Sequence, residues 1–264
     1  MGTSFSKSVL LIFVVVAASF SCTDRREDHS LTVDEYIKLG MPDPGKSWDM
    51  DDYTQANNVL AKIKWEKPLE LPAKDSEKSG LVFDRMVSLD YLSFLQDTTL
   101  SLNAKAERIS DFTRVYDHWM DIYTIPMLKH DPYQGEKLEL QIFNLRLMEA
   151  MVNLMHKINE SDDPADAGLK YGHQYIMGNY LTSLYASLRM QASTSEHLQP
   201  DLERMADSIY ASVIRNKEWM GNDALSSLRR SLNSVIDSTS SERIRSKYHH
   251  LRQALAGRST VVSQ

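Results

Sequence analysis

The fold class predicted from the sequence is all-α, a single antiparallel bundle of about seven main helices. Three observations predict it. Apolar residues recur at steps of three and four over most of the chain. Side chains that cap helix N-termini stand in front of several of these stretches. No stretch alternates convincingly between apolar and polar as a half-buried strand does.

The chain opens on a segment of another kind. Residues 1–22 carry one positive charge, Lys7, an apolar run from Val9 to Phe20, and small residues closing on Cys22. A run of 12 is too short for a hydrocarbon core, which takes about 20 residues. It has the form of a signal peptide's central region, with Ser19 and Ser21 suited to a peptidase's small-residue pockets. The chain's only cysteine stands where cleavage would fall. This arrangement resembles bacterial lipoprotein precursors, in which that cysteine is lipidated and becomes the first residue of the mature chain. Phe20 stands where the commonest motif has Ala or Ser, a variation that the looser lipoboxes of Bacteroidetes tolerate. The run Thr23-Asp24-Arg25-Arg26-Glu27-Asp28 resembles, with its two arginines interrupting, the acidic stretches of that phylum's surface-exported lipoproteins.

The resemblance implies a signal peptide at 1–21, lipid on Cys22, and a place in the bacterial envelope, at the outer membrane. The mature chain then has 243 residues and 29 Lys+Arg against 36 Asp+Glu, a net charge of −7. Buried acyl chains contribute about 0.8 kcal/mol per methylene, so two or more chains anchor without a transmembrane helix.

Residues 22–47 read as lipidated terminus and tether or loosely docked arm, because Gly40, Pro42, Pro44 and Gly45 crowd six residues. The helical domain is expected over 48–258, with a disordered tail at 259–264. Asp49 to Trp65 forms the first long helix: Met50, Tyr53, Ala56, Val59, Leu60 and Ile63 share one side, and Asp49, Asp51 and Asp52 sit where negative charge is favoured. Pro68 ends it. Residues 67–80 read as an irregular strap held by Leu69 and Leu71, with a ligand lid as the less favoured reading. Short helices follow at 81–87 and 89–96.

Ile109, Phe112, Tyr116, Trp119 and Tyr123 step by 3, 4, 3 and 4, the spacing of a helix packed in a bundle, and Pro126 closes the stretch. Asp131-Pro132-Tyr133-Gln134 resembles a start signal for a helix running to about Ile158. Apolar residues cover most of that helix's circumference, which puts it at the centre of the fold. Asp163-Pro164-Ala165-Asp166 opens the next, to about Ala192, and Pro200 another. Gly221-Asn222 recaps the chain before Leu225, Leu228, Leu232 and Val235. Thr239-Ser240-Ser241-Glu242 matches a capping box for the last helix, ended by Gly257.

Composition removes several function classes. Mild acidity argues against broad nucleic-acid binding, and a single cysteine excludes a disulfide framework, an iron–sulfur cluster and a multi-cysteine zinc site. Catalysis or metal binding in a bundle draws on His, Asp and Glu facing inward, typically as Glu-x-x-His pairs, and none is present. The nearest candidates are His118 with Asp121, one turn apart, and Glu149 with His156 on the central helix. His249 and His250 are adjacent and cannot face one metal together. No Gly-x-Ser-x-Gly, phosphate-cradling glycine loop or His-Glu-x-x-His occurs. No cofactor is expected.

Two features bear on partners. Tyr171, Tyr175, Tyr180 and Tyr185, with Met177 and Met190, crowd one helix in the residue types common at interfaces. Residues 226–258 carry seven Lys+Arg against two acids, leaving −12 for the rest of the mature chain. This basic hairpin pairs with the acidic body or meets lipid headgroups or an acidic partner. Asp97-Thr98-Thr99, Asp207-Ser208-Ile209 and Asp237-Ser238-Thr239 resemble short O-glycosylation sites of exported Bacteroidetes proteins, and only the third, at Ser238, is expected in an exposed loop.

The expectation is therefore a non-catalytic helical domain held to a membrane by lipid on Cys22 and binding a protein partner, not nucleic acid, as a scaffold, accessory or immunity-type factor. The alternative is an envelope enzyme or metal binder with its site near Glu149, His156 and His118.

Overall fold

A computed structural model describes residues 28–256, apart from 129, 167, 169 and 195–197, with the backbone alone at 165, 171 and 173. The signal peptide, Cys22, Gly257 and the 259–264 tail of the sequence analysis lie outside the described residues. Within them the chain is an all-α bundle without strands. Its helices are α1 (Val33–Lys38), α2 (Met50–Glu66), α3 (Gly80–Met86), α4 (Leu102–Ile122), α5 (Gln134–Glu160), α6 (His173–Ser193), α7 (Gln199–Asn216), α8 (Asn222–Ser238) and α9 (Glu242–Ala256). The predicted seven main helices are α2 and α4–α9, of 15 to 27 residues.

The arm before α2 is ordered against the bundle from residue 28, so the compact unit starts some twenty residues before the predicted boundary at 48. Thr32 and Glu35 form a reciprocal capping box at α1, and Gly40, at φ +97°, closes α1 in the left-handed region where a side chain is strained. Tyr36, Met41 and Trp48 are buried, and the Trp48 indole donates to the Asp43 carbonyl at 3.0 Å. A Gly/Pro-rich composition says only that the segment is not helical throughout. Its three apolar anchors decide that it docks.

Side-chain caps open α2, as its acidic first turn suggests, and α4, whose cap the sequence analysis did not name. Asp49 accepts from the Asp51 and Asp52 N–H groups while Asp52 reaches back to the Asp49 N–H, and Ser101 accepts from Ala104 N–H at the start of α4. Three predicted starts are displaced. Asp131 accepts from Tyr133 N–H and pairs with Lys137, but α5 begins only at Gln134. The Asp163 signature opens a single 3₁₀ turn (Pro164–Asp166), and α6 begins at His173. The cap of α9 is Ser241, accepting from Ile244 N–H, while Thr239 accepts from Ser241 N–H one step earlier. At Asp131 and Thr239 an Asx- or Ser/Thr-type turn uses the capping side chain before the helix begins, and at Asp163 the turn is made by Ser161, whose hydroxyl accepts from the Asp163 N–H.

Packing follows from α5, which is buried over nearly its whole circumference and contacts α4, α6 and α7. Consecutive helices run antiparallel: Gln141 meets Ser187 while Asn144 meets Ser183 across α5 and α6, and Tyr180 meets Ser212 while Gln191 meets the Leu202 carbonyl across α6 and α7. Helices two apart run parallel. Glu139 pairs with Arg204 and Glu149 with Arg215 between α5 and α7, and Glu203 pairs with Arg243 and Asp207 with Lys247 between α7 and α9. The helices α5, α7 and α9 therefore form one layer and α6 and α8 a second, while α2 and α4 extend the stack on the far side of α5 through an aromatic cluster of Tyr53, Phe112, Trp119 and Phe143.

The 67–80 segment is a strap, as its apolar anchors suggest, although Leu71 alone is fully buried and Leu69 faces solvent. Three buried tyrosines fasten it. The hydroxyls of Tyr133, Tyr36 and Tyr123 donate to the carbonyls of Pro68, Glu70 and Pro72 at 2.8, 2.5 and 2.7 Å. An irregular strand of backbone cannot satisfy its own carbonyls, and these phenols do so from the arm, the end of α4 and the start of α5.

Burial raises the phenol pKa of Tyr36, Tyr53, Tyr116, Tyr180 and Tyr248 above the ordinary value of about 10, for Tyr180 to about 12. Because the folded values lie above the unfolded ones, this contribution to stability is complete below about pH 10 and is lost as pH rises toward the folded values. Steep loss of stability above pH 10 is expected, with phenolate absorbance of these residues appearing only as the protein unfolds. Their gradual ionisation in a protein that keeps its near-UV circular dichroism would refute this.

Candidate functional site

The two ends of the α5 axis present different chemistry. At its N-terminal end a cleft of about 830 Å³ lies between the arm at Asp28–Ser30, the strap at 73–78, and the first turn of α5. The Asp28 carboxylate accepts from Ser30 Oγ at 2.5 Å and Ser76 Oγ at 2.6 Å, and Lys78 Nζ holds the Asp28 carbonyl at 2.9 Å. Partial burial alone would raise the Asp28 pKa, but the hydrogen bonds from Ser30 and Ser76 outweigh it and lower it.

Behind this rim, Lys74 reaches from the strap across the first turn of α5 and places its ammonium 2.7 Å from both oxygens of Asp201, in the first turn of α7. A Cβ at Gly135 would stand 2.9 Å from Lys74 Cε, so a side chain there would push the end of the lysine off this line. Arg204 continues the chain, donating to Asp201 at 2.8 Å and Glu139 at 2.6 Å. Desolvation pulls the Lys74 pKa down, and the Asp201 hydrogen bond and charge more than reverse it. The arrangement is a clamp of matched charges that ties strap, α5 and α7 together.

The four residues singled out for metal or acid–base chemistry are not brought together. His118 is exposed on α4. Asp121, one turn on, is exposed and receives Lys64 of α2 at 2.8 Å, with Lys64 also donating to its carbonyl. Glu149 is buried on α5 and forms a two-point ion pair with Arg215 of α7. His156 lies two turns beyond Glu149 and stacks flat on the Trp219 indole, ring centroids 3.7 Å apart and planes at 26°. Among the described residues no group of three or more His, Cys, Asp or Glu is placed to hold a metal ion.

The basic hairpin is compensated in part within the molecule. Arg243 binds Glu203 and Asp207, Lys247 also binds Asp207, and Arg229 turns inward to the Leu255 carbonyl. Of the three Asp-Ser/Thr sites, Ser238 lies exposed in the last turn of α8, and Asp207-Ser208-Ile209 lies within α7. Asp97-Thr98-Thr99, not among the sites expected in an exposed loop, is an exposed turn in which Asp97 accepts from Thr99 N–H at 2.8 Å. The Asx turn breaks the chain between the 3₁₀ segment Leu89–Gln96 and α4, which is why it is open.

The other end of α5 carries the exposed aromatic surface. Trp219 is 47% exposed although its ring is fixed on His156, and Tyr175, in the first turn of α6 at the same end, is 71% exposed. Of the tyrosine-rich helix, Tyr180 is buried with its hydroxyl 2.8 Å from Ser212 Oγ, and Tyr185 is half-buried. Sequence analysis missed Lys74, Asp201 and Trp219. The first two are 127 positions apart and carry no local signal. Trp219 had one, an aromatic in the short break between α7 and α8 instead of on an apolar stripe.

No helix among the described residues is long and apolar enough to cross a membrane. No protein-family model matches the chain, and neither a curated protein nor a solved structure shows significant similarity to it.

Proposed function

We propose that the protein is a bacterial envelope lipoprotein, anchored at the outer membrane through lipid on Cys22, whose helical body acts by binding a protein as a scaffold, accessory or immunity-type factor. The anchor rests on the apolar run Val9–Phe20 closing on the chain's only cysteine. The observation that carries the binding role is Trp219: a half-exposed indole held rigid by stacking on His156. Exposed, preordered Trp and Tyr side chains supply contact area with little entropy left to lose, which is why they dominate binding energies at interfaces.

An enzyme or metal binder built on Glu149, His156 and His118 is not favoured, because Glu149 is taken by Arg215, His156 by Trp219, and His118 faces solvent on another helix.

The test has two arms. Cys22→Ala should move the protein from the membrane fraction to the soluble fraction and abolish acyl labelling, and continued anchoring refutes the lipid attachment. Trp219→Ala and Tyr175→Ala, in protein with unchanged circular dichroism, should each weaken a cross-linked partner complex about tenfold or more, as a truncated hot-spot aromatic does. Unchanged affinity in both variants rejects this end as the binding surface.

A further inference from the structure

Eight large hydrophobic side chains are exposed among the described residues, and five of them, Ile37, Leu39, Trp65, Leu69 and Leu81, fall on α1, the end of α2, the strap and the start of α3. Trp65 is 68% exposed. It lies off the apolar stripe of α2, two residues past Ile63. Beside it, a groove of about 600 Å³ runs between α1 and α2 with an apolar floor that includes Leu31, Val59 and Ile63. Its rim alternates Lys38, Lys62 and Lys67 with Glu35, Glu66 and Glu70, so its charges cancel.

The chain enters the body at the same place. Asp28 is fixed by Ser76 and Lys78 of the strap, and Val33 N–H donates to the Lys78 carbonyl. Six Cα-to-Cα steps separate Cys22 from Asp28. At about 3.5 Å each they reach roughly 20 Å at full extension, less than half the width of a body this size, about 45 Å. A membrane anchor at Cys22 can therefore bring only one end of the bundle to the lipid. Trp219 lies at the other end: α5 alone carries the chain about 33 Å from Gln134, beside the strap, to His156 beneath Trp219.

Resting on the lipid-anchor reading, we infer that the α1/α2 face around Trp65 is the membrane-contacting surface, seating its apolar side chains in a zwitterionic lipid interface and presenting Trp219 away from it. The chemistry suits that occupant. Tryptophan partitions to the headgroup level, where lysine stems also lie along the apolar boundary. A charge-balanced rim gives no Coulombic preference for an acidic or basic protein or for anionic lipid.

The molecule contains its own probes. Trp48 and Trp119 are buried, leaving Trp65 and Trp219 as the exposed tryptophans, one at each end. The mature chain from Cys22 can be coupled through its sole thiol to a maleimide phospholipid in phosphatidylcholine vesicles, with or without brominated acyl chains. Brominated lipid should quench part of the emission. That part should be lost in Trp65→Phe and kept in Trp219→Phe. Quenching that is absent, or that disappears with Trp219→Phe instead, overturns the orientation. So does a Trp65 that stays as open to aqueous acrylamide on the vesicle as in solution, the outcome expected if this face serves a protein or a second copy of the chain. Because the tether is chemical, this result is independent of whether cells acylate Cys22, which fractionation of Cys22→Ala decides separately.

Discussion

Trp119→Ala is expected to lower the free energy of unfolding by about 3–5 kcal/mol, the range for deleting a fully buried large aromatic. Trp119 is the largest of the fully buried side chains. It joins α4 to α2 and α5, with Tyr53 at 5.7 Å and Phe112 and Phe143 at 6.0 Å between ring centroids. Truncation would leave a cavity shared by three helices, and close-packed helices collapse into such a space only partly. Against a total of about 5–15 kcal/mol this is a large share. Trp119→Phe should cost clearly less, because the indole N–H is buried without a hydrogen-bond partner and its removal offsets part of the lost contact. Urea unfolding followed by circular dichroism measures both. A loss below about 1 kcal/mol for the alanine variant would mean that the cluster is not packed as described.

Asp201→Ala should destabilise by about 2–3 kcal/mol, less than the roughly 3–5 kcal/mol of a wholly enclosed pair because the cleft gives Lys74 access to water. The two partners are not equivalent. Removing Asp201 leaves Lys74, whose side chain is 14% exposed, with only the solvent-facing Asp75 at 3.3 Å, and takes one of two partners from Arg204. Removing the ammonium in Lys74→Met leaves Asp201 still paired with Arg204, so the loss should be smaller. The double variant Lys74→Met with Asp201→Leu should recover much of the single loss, since apolar groups can replace a buried pair at little net change. Equal losses in the two single variants, or strict additivity in the double, would show that the clamp contributes only as two separate side chains.

Much of the helical pattern was legible because its causes are local. Leu225, Leu228, Leu232 and Val235 announce α8 at steps of three and four, and Asp49 with Asp52 announces α2, since capping and i to i+4 bonding join residues within one turn. The starts of α5, α6 and α9 were misplaced by two to nine residues for a reason just as local: side chains such as Asp131 and Thr239 can serve a turn as well as a cap, and the turn wins where the chain must first change direction.

The arm shows the limit from the other side. Gly40, Pro42, Pro44 and Gly45 make residues 22–47 read as a tether, while Tyr36, buried and bonded to the Glu70 carbonyl, makes most of that span part of the body. The site was less legible still. His118, Asp121, Glu149 and His156 drew attention by residue type, yet each is claimed by a neighbour or by solvent. The residues that shape the two ends, Lys74 with Asp201 and Trp219 on His156, meet only because α5 and α7 lie side by side, with the strap crossing the start of α5 at one end and the break after α7 folding onto α5 at the other.

By itself the sequence determined that this chain forms helices, roughly where they lie, and that α5 is central, because periodicity and capping are short-range and an apolar circumference has nowhere else to go. Tertiary structure alone decided which helices run parallel, which carboxylate each cation meets, how three tyrosines hold the strap, and that Trp65 and Trp219 face opposite ends. Those outcomes depend on contacts between residues tens to more than a hundred positions apart, and no local rule reaches across that separation.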